Sequence, residues 1–303
     1  MLTTIVFALK PKVHLLDLAG PSQVFATAND FGGSYVLRYV ADTATVPSHQ
    51  GLLLHAETQW PILGTNDIVL VPGWRSAASG SRENRFSKEI EVQMIDHHAA
   101  GGTVSSVCSG AEALGQAGLL NGRRFTTHHE LQDVLARKFP KATLVRDVLY
   151  VEDDRIITSA GIASGIDLAL HVIARRQGPA VASKVARQMV VFGRRNGTDQ
   201  QQSVMLRFRD HLIDSVHLAQ NMIDDRFTEP LPLAMIAKAV GVSERTLTRQ
   251  FASATGLTPL RYQQALRLER AESLLFTGAS MEFAARTVGF DGARMLRRLR
   301  NRC

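Results

Sequence analysis

One of the two cysteines in the chain lies where an apolar run meets small residues that open a helix, in TVSSVCSGAEALGQAG at 103–118. The pattern SVCSG at 106–110 approximates the strand-to-helix turn that exposes a nucleophile, with serine in place of the usual first glycine. Small neighbours permit the strained turn, and a helix N-terminus stabilises the thiolate of Cys108. Backbone N–H groups near Gly73 and Ser109 can form an oxyanion pocket. These residues predict either that Cys108 is a catalytic nucleophile or that the turn is part of a scaffold that serves a function other than catalysis.

A second stretch, LPLAMIAKAVGVSERTLTRQFASATG at 231–256, has the spacing of a DNA-reading motif. Gly241 supplies a left-handed turn after a short helix, and Ser243 is a good N-cap for the next helix. Leu247 and Phe251, four residues apart, face the core. This leaves three polar side chains on the outer face, namely Arg245, Thr248 and Arg249. Arginine can bind guanine O6 and N7, and threonine can contact a base edge, so the stretch predicts a helix-turn-helix in the major groove of double-stranded DNA.

The same pattern occurs a second time further along the chain. IAKAVGV at 236–242 matches AARTVGF at 284–290. The segment Pro259–Phe276 between the copies predicts one helix, which at 1.5 Å per residue spans about 27 Å. That length is compatible with two reading helices set one DNA turn, about 34 Å, apart. We therefore expect two helix-turn-helix motifs.

The first part of the chain alternates short apolar runs with helical patterns. The predicted strands are Thr3–Leu9, Tyr35–Ala41, Asp67–Val71, Thr103–Val107 and Ile156–Ala160. The predicted helices are Pro21–Ala28, Ser87–Ala100, Ser109–Leu119, His129–Phe139 and Ile166–Arg176. This alternation predicts an α/β doubly wound parallel sheet of the flavodoxin-like type, whose ligands bind at the carboxyl ends of the strands. From His211 onward strand patterns are absent, which predicts an all-α domain with the two motifs.

Charge is distributed unevenly along the chain. Residues 1–174 carry 14 basic and 17 acidic side chains, whereas residues 175–303 carry 21 and 11, a net charge of +10. A basic half joined to a mildly acidic one predicts that only the second half contacts a polyanion. A Gly- and Gln-rich polar stretch predicts a linker at 196–210, between a first domain at 1–195 and a DNA-binding domain at 211–303.

The composition excludes several classes of protein. No apolar stretch approaches the ~20 residues of a membrane span, so we expect no membrane contact. The N-terminus predicts a first strand of a cytoplasmic protein, and two cysteines make no disulfide framework. His97-His98 and the 128–130 segment His-His-Glu lack the spacing of metal ligands, and no phosphate-binding loop is present. We expect neither a metal nor a cofactor.

The run LAMIAKAVGVSERTLTRQFASATGLTPLRYQQALRLERAESLLFTGASMEFAARTVGF resembles the DNA-binding domain of the AraC/XylS family of transcription regulators, in which TG-x-TP, RLERA and VGF are specific. The family continues beyond the position of Cys303 through another turn and helix, so we expect a C-terminally short domain. Arg300 takes the place that Phe251 has in the first copy, which predicts a charged core position and a loosely held second motif. The resemblance implies five base-contacting residues: Arg245, Thr248, Arg249, Arg294 and Arg298.

Four pieces of the first half resemble the class I glutamine amidotransferase-like superfamily, PfpI-like branch. They are LLDLAGPSQVFATA, DIVLVPGW, VSSVCSGAEALGQAGLLNGRRFTTHH and ITSAGIASGIDLALHVIAR. The resemblance implies that Asp17 matches a carboxylate of isocyanide hydratase-like members and that His128 matches a histidine near the cysteine. Cys108, Asp17 and His128 are therefore the candidate catalytic residues. The candidate ligand-binding set is Asp17, Gly73, Trp74, Cys108, Ser109 and His128.

The two resemblances together imply a cytoplasmic transcription regulator without enzymatic turnover. Its first domain is expected to bind a small-molecule effector and to form a homodimer, and its second to bind DNA. The alternative is a thiol-dependent amidase- or hydratase-like enzyme that uses Cys108. A regulator requires DNA affinity that responds to a ligand, whereas an enzyme requires turnover that depends on Cys108.

Overall fold

The computed structural model describes residues 2–75, 85–161, 163–191, 197, 201, 203–276 and 278–301. The chain divides into two compact units, Met1–Gln201 (the N-terminal unit) and Gln202–Cys303 (the C-terminal unit). The division falls within the predicted linker 196–210, part of which lies outside the described residues, as does Cys303. Among the described helices, none is both long enough and apolar enough to cross a bilayer.

A six-stranded sheet forms the centre of the N-terminal unit. Its strands run in the order β2 (Tyr35–Val40), β1 (Thr3–Ala8), β5 (Ile68–Val71), β6 (Thr103–Val107), β10 (Ile156–Ser159) and β9 (Tyr150–Asp153). The five predicted strands are all present and parallel. Strand β9 is an antiparallel edge strand that the sequence pattern missed, because its polar residues are only half-buried and no continuous apolar run marks it. Two short pairs lie outside this sheet, β3 (Thr45–Pro47) with β4 (Leu53–His55), and β7 (Arg124–Phe125) with β8 (Thr143–Leu144).

Helices cover both faces of the sheet, as the pattern predicts. Alternate residues of β1 enter different cores because successive side chains of a strand point to opposite faces. Ile5 and Phe7 pack in one cluster, and Val6 and Ala8 in the other. The first cluster includes α1 (Leu15–Asn29), α5 (Ser164–Gln177) and α6 (Pro179–Gln188), and the second includes α2 (Lys88–Ala99), α3 (Ala111–Gln116) and α4 (Gln132–Lys138).

Helix α1 begins earlier than the sequence pattern predicts. The sequence pattern predicted a helix over Pro21–Ala28. In the structure Pro21 lies inside the helix, and the first turn carries Asp17 instead. This difference moves Asp17 from a loop onto a helix, where its carboxylate is fully buried.

Among the described residues of the C-terminal unit, helices are the only regular secondary structure. Its helices are α7 (Val204–Arg207), α8 (Asp214–Arg226), α9 (Leu233–Ala239), α10 (Glu244–Thr255), α11 (Pro259–Phe276), α12 (Met281–Thr287) and α13 (Ala293–Arg300). Helix α11 has the predicted bounds. Helix α7 lies within the segment predicted as a linker: Val204 is buried, and its N–H donates to Glu269 Oε2 at 3.1 Å. A buried apolar residue and a carboxylate acceptor stabilise one helical turn where composition alone indicates flexible chain.

An arginine in the RLERA segment holds the turn of the second motif. Arg267 of α11 donates hydrogen bonds to the carbonyl oxygens of Phe227 at 2.6 Å, Glu229 at 2.8 Å and Gly289 at 2.7 Å. Gly289 has a φ of 86°, and a Cβ there would overlap the carbonyl of Thr228. The second turn therefore depends both on glycine and on the guanidinium that binds its carbonyl.

We expect Arg267→Ala to lower the free energy of unfolding of the C-terminal unit by about 2–3 kcal/mol, because partly buried carbonyl groups lose a charged donor. The matched control is Arg270→Ala, which removes the same charge from an exposed position of the same helix. Urea unfolding followed by far-UV circular dichroism reports on the helices. Tryptophan fluorescence reports on the N-terminal unit, since Trp60 and Trp74 both lie there. Equal midpoints for the two variants would contradict this role of Arg267.

Candidate functional site

Cys108 lies at a sharp turn between β6 and a single 3₁₀ turn, Cys108–Gly110, that leads into α3. Its φ is 57°, in the left-handed region that residues with side chains rarely adopt. Such backbone conformations persist only where the surrounding structure enforces them, and they cluster at functional sites. The thiol residue is 7% exposed. The strained turn predicted from the small residues around Cys108 is therefore present.

Gly73, at the carboxyl end of β5, brings three of the predicted site residues together. A Cβ at this position would overlap the carboxylate of Asp17. It would also lie 2.7 Å from Cys108 Cβ and 3.1 Å from Ser109 Oγ. Only glycine permits so close an approach of the backbone. Asp17, Gly73, Cys108 and Ser109 thus form one packed group.

His128 approaches Cys108 from another direction, past Gly161. A Cβ on Gly161 would lie 2.8 Å from His128 Cδ2 and 3.2 Å from Cys108 Sγ, so the imidazole and the thiol border the same small volume. Thr127 Oγ1 donates to the carbonyl oxygen of Cys108 at 2.8 Å, which fixes the residue before His128 to the thiol turn. Sequence reasoning did not single out Gly161 or Thr127. The position of Gly161 directly after a predicted strand is the signal that could have identified it.

The surroundings of His128 favour the neutral form of its imidazole. Burial lowers its pKa, the neighbouring His129 and His14 lower it further, and Glu130 opposes them. The rings of His128 and His129 lie 4.2 Å apart. Burial also lowers the pKa of His14, which precedes α1 and was not identified from the sequence. A neutral His128 can donate or accept a hydrogen bond at neutral pH.

Trp74 joins this group through its backbone alone. Ser109 Oγ accepts a hydrogen bond from the Trp74 N–H at 2.8 Å and donates one to the Trp74 carbonyl at 2.9 Å. The indole packs in the apolar cluster with α2 and α3, edge-on to Phe86 with ring centroids 6.1 Å apart. Core packing therefore stabilises the indole, and the backbone N–H of Trp74 is bonded to Ser109, while contact of Trp74 with a ligand stays a prediction.

In the part of the chain that the structure describes, no three His, Cys, Asp or Glu side chains are placed to hold a metal ion. The two histidines at 97 and 98 bond through Nε2 to backbone oxygens, those of Asp67 at 3.1 Å and Asp154 at 2.9 Å. Hydrogen bonds to the backbone thus fix both imidazole rings in the fold.

The first helix-turn-helix has the predicted local geometry. Gly241 adopts a left-handed φ of 71°, and Ser243 caps α10 by accepting from the N–H of Thr246 at 3.2 Å. Leu247 and Phe251 are fully buried. Their burial fixes which face of α10 is directed outward.

Four of the five predicted DNA-contacting side chains are exposed on the second helix of a motif: Arg245, Arg249, Arg294 and Arg298. The two on α13 line one open groove. The fifth, Thr248, is half-buried, and its hydroxyl donates to the carbonyl oxygen of Glu244 at 2.9 Å. The arginines are thus available to a polyanion, and DNA contact by all five residues stays a prediction.

Arg300 does not occupy a core position, and that prediction is wrong. Its side chain is exposed, with Nε 3.7 Å from Glu272 Oε1. Helix α13 ends at Arg300, so the long side chain leaves the final turn toward solvent. Leu296 is fully buried, and Leu299 packs against the same apolar cluster.

Comparisons with known proteins agree with this two-part arrangement. Residues 3–175 match the DJ-1/PfpI family, and residues 236–302 match a helix-turn-helix domain. The HTH-type transcriptional regulator CdhR of Pseudomonas aeruginosa is 28% identical over 274 residues, which cover 89% of this chain and 79% of CdhR. Isonitrile hydratase of Pseudomonas putida is 34% identical over 183 residues, covering 60% of this chain and 76% of the hydratase.

Among solved structures, an AraC family transcriptional regulator from Pseudomonas putida shares the fold with a TM-score of 0.53 at 21% identity. The match covers 62% of this chain and 99% of that one. Both resemblances predicted from the sequence are thereby confirmed. The chain belongs to the DJ-1/PfpI family and carries a helix-turn-helix domain after the family domain.

Proposed function

We propose that this protein is a transcription regulator that binds double-stranded DNA through the C-terminal unit and a small-molecule effector at the Cys108 turn. The observation that carries the proposal is the presence, in one chain, of a buried thiol turn and two helix-turn-helix motifs with exposed arginines on their second helices. CdhR, which is similar over most of its length, is itself named a transcriptional regulator. A cytoplasmic location belongs to the same proposal.

The effector site is built from groups of different chemistry. Asp17 offers a buried carboxylate, Cys108 a polarizable thiol and His128 a neutral imidazole. A few polar groups converging on a buried volume are typical of sites that orient a small ligand. We propose in addition that the full chain forms a homodimer. Sedimentation velocity on the full chain tests this.

We expect the affinity of the full chain for duplex DNA to fall steeply with salt. Each phosphate neutralised by lysine or arginine contributes about 0.9 to the slope of log affinity against log salt, so several contacts produce a slope of several units. Fluorescence anisotropy between about 50 and 200 mM salt measures it. Arg137→Ala, which removes an exposed charge from the N-terminal unit, should leave the slope unchanged. A flat response would contradict DNA binding.

A second candidate function is thiol-dependent hydration or amide hydrolysis. It is favoured by the left-handed backbone of Cys108 and by the similarity to isonitrile hydratase. In such an enzyme the thiolate attacks the substrate and forms a covalent intermediate. Nuclear magnetic resonance of an alkyl isonitrile incubated with the full chain tests it. Turnover that disappears in Cys108→Ala would favour this function, and absence of turnover would favour the regulator.

A further inference from the structure

Gln201 is the last residue of the N-terminal unit, and several hydrogen bonds fix its position. Its side-chain amide donates to the carbonyl oxygens of Thr127 at 2.9 Å and Val148 at 3.1 Å. Its backbone N–H donates to Asp147 Oδ1 at 3.2 Å. The point where the chain leaves the N-terminal unit is therefore held by side-chain contacts outside any helix or strand.

The segment that accepts these bonds also supports the thiol site. Thr127 is fully buried and donates through Oγ1 to the carbonyl of Cys108 at 2.8 Å. The preceding N–H, of Thr126, donates to Thr158 Oγ1 at 2.9 Å. His128 follows directly and borders the thiol. A continuous set of hydrogen bonds thus runs from the Cys108 carbonyl through Thr127 to Gln201.

The linker on the other side of Gln201 is short. Val204 is fixed in the C-terminal unit by its hydrogen bond to Glu269. Only Gln202 and Ser203 separate it from Gln201. Gln201 and Val204 are thus held in different units and lie three positions apart in the sequence.

We propose that Gln201 is a positioning residue that couples the Cys108 site to the linker, an inference that rests on the proposed function. A ligand that displaces His128 or the Cys108 turn moves the Thr127 carbonyl, which weakens the bonds that hold Gln201 in the N-terminal unit. Because coupling between two sites is reciprocal, loss of the Gln201 bonds must also loosen the thiol turn.

N-ethylmaleimide alkylation of Cys108 measures this looseness, since a buried thiol reacts only when its surroundings open. The full chain carries Cys303→Ser, which leaves Cys108 as the single cysteine. Gln201→Met keeps the side-chain length and removes the amide donors. Gln188→Met, at an exposed position of α6, is the matched control. We expect Gln201→Met to accelerate alkylation at least about fivefold and the control to leave it unchanged.

Hydrogen exchange of peptides that contain Gln201 measures the reverse direction. Alkylation should raise their exchange in the parent protein and add nothing in Gln201→Met. An unchanged alkylation rate in Gln201→Met would overturn the proposal, whether or not those peptides exchange faster. If Gln201→Met does not fold, Gln201→Asn serves instead, because its shorter amide cannot reach both carbonyls.

DNA affinity measured on the same samples separates this proposal from the proposed function. Coupled alkylation and exchange in a protein that does not bind DNA would support the role of Gln201 and contradict the regulator. DNA binding with an unchanged alkylation rate in Gln201→Met would support the regulator and overturn the role of Gln201.

Discussion

Replacing Arg245 and Arg249 together by alanine should weaken operator binding by about 2–6 kcal/mol more than it weakens binding to random DNA. Both side chains are exposed on α10, whose opposite face is fixed by the burial of Leu247 and Phe251. A bidentate contact with a guanine contributes about 1–3 kcal/mol of discrimination, and two separate contacts are roughly additive. The operator is first selected from a random DNA pool with the parent protein. Anisotropy titrations then compare it with a scrambled duplex of equal length.

The matched control is the double variant Arg226→Ala and Arg286→Ala. It removes the same charge from two arginines that pair with Glu229 and Glu282 and lie outside the second helices. It should weaken binding to both duplexes by the same modest factor, because only the general electrostatic attraction changes. If Arg245 and Arg249 behave in the same way as the control, they contact phosphates and do not read bases.

Cys108→Trp should abolish the response to effector, whereas Cys108→Ser should change effector affinity by about tenfold or less. The thiol is 7% exposed and borders Gly73 and Gly161, where even a Cβ would meet neighbouring atoms. An indole therefore fills the site, while serine alters one polarizable contact. Mass spectrometry of a co-purified ligand identifies the effector. A reporter gene under the selected operator then measures the response.

Two controls make this comparison decisive. Far-UV circular dichroism must show that both variants are folded, and both must bind operator without effector as the parent does, because Cys108 lies in the other unit. A folded serine variant without any response would contradict the sensing site. It would instead favour a role of Cys108 as a nucleophile, since loss of the nucleophile removes the activity.

The helix-turn-helix motifs are the part of the molecule most accessible to sequence reasoning. Gly241, Ser243 and Leu247 act within two turns of chain, through a left-handed φ, an N-cap and a core contact that local spacing specifies. The helix Pro259–Phe276 was likewise predictable from apolar periodicity. The wrong prediction that Arg300 occupies a core position shows where local spacing fails. Whether this side chain is buried depends on the end of helix α13 and on the ion pair with Glu272.

The amino-acid sequence by itself determined the two-unit division, the parallel strands, the second domain and the identity of the thiol residue, since each depends on short-range pattern. Only the tertiary structure decided what surrounds that thiol. Asp17 comes from a helix, and Gly73 and His128 come from two loops; their proximity results from the order of strands in the sheet. The packing of the Trp74 indole in the apolar core and the hydrogen bond from Gln201 to Thr127 are likewise contacts between residues distant in sequence. Contacts between residues distant in sequence are selected by packing and by the need of buried polar groups for partners, which no local pattern encodes.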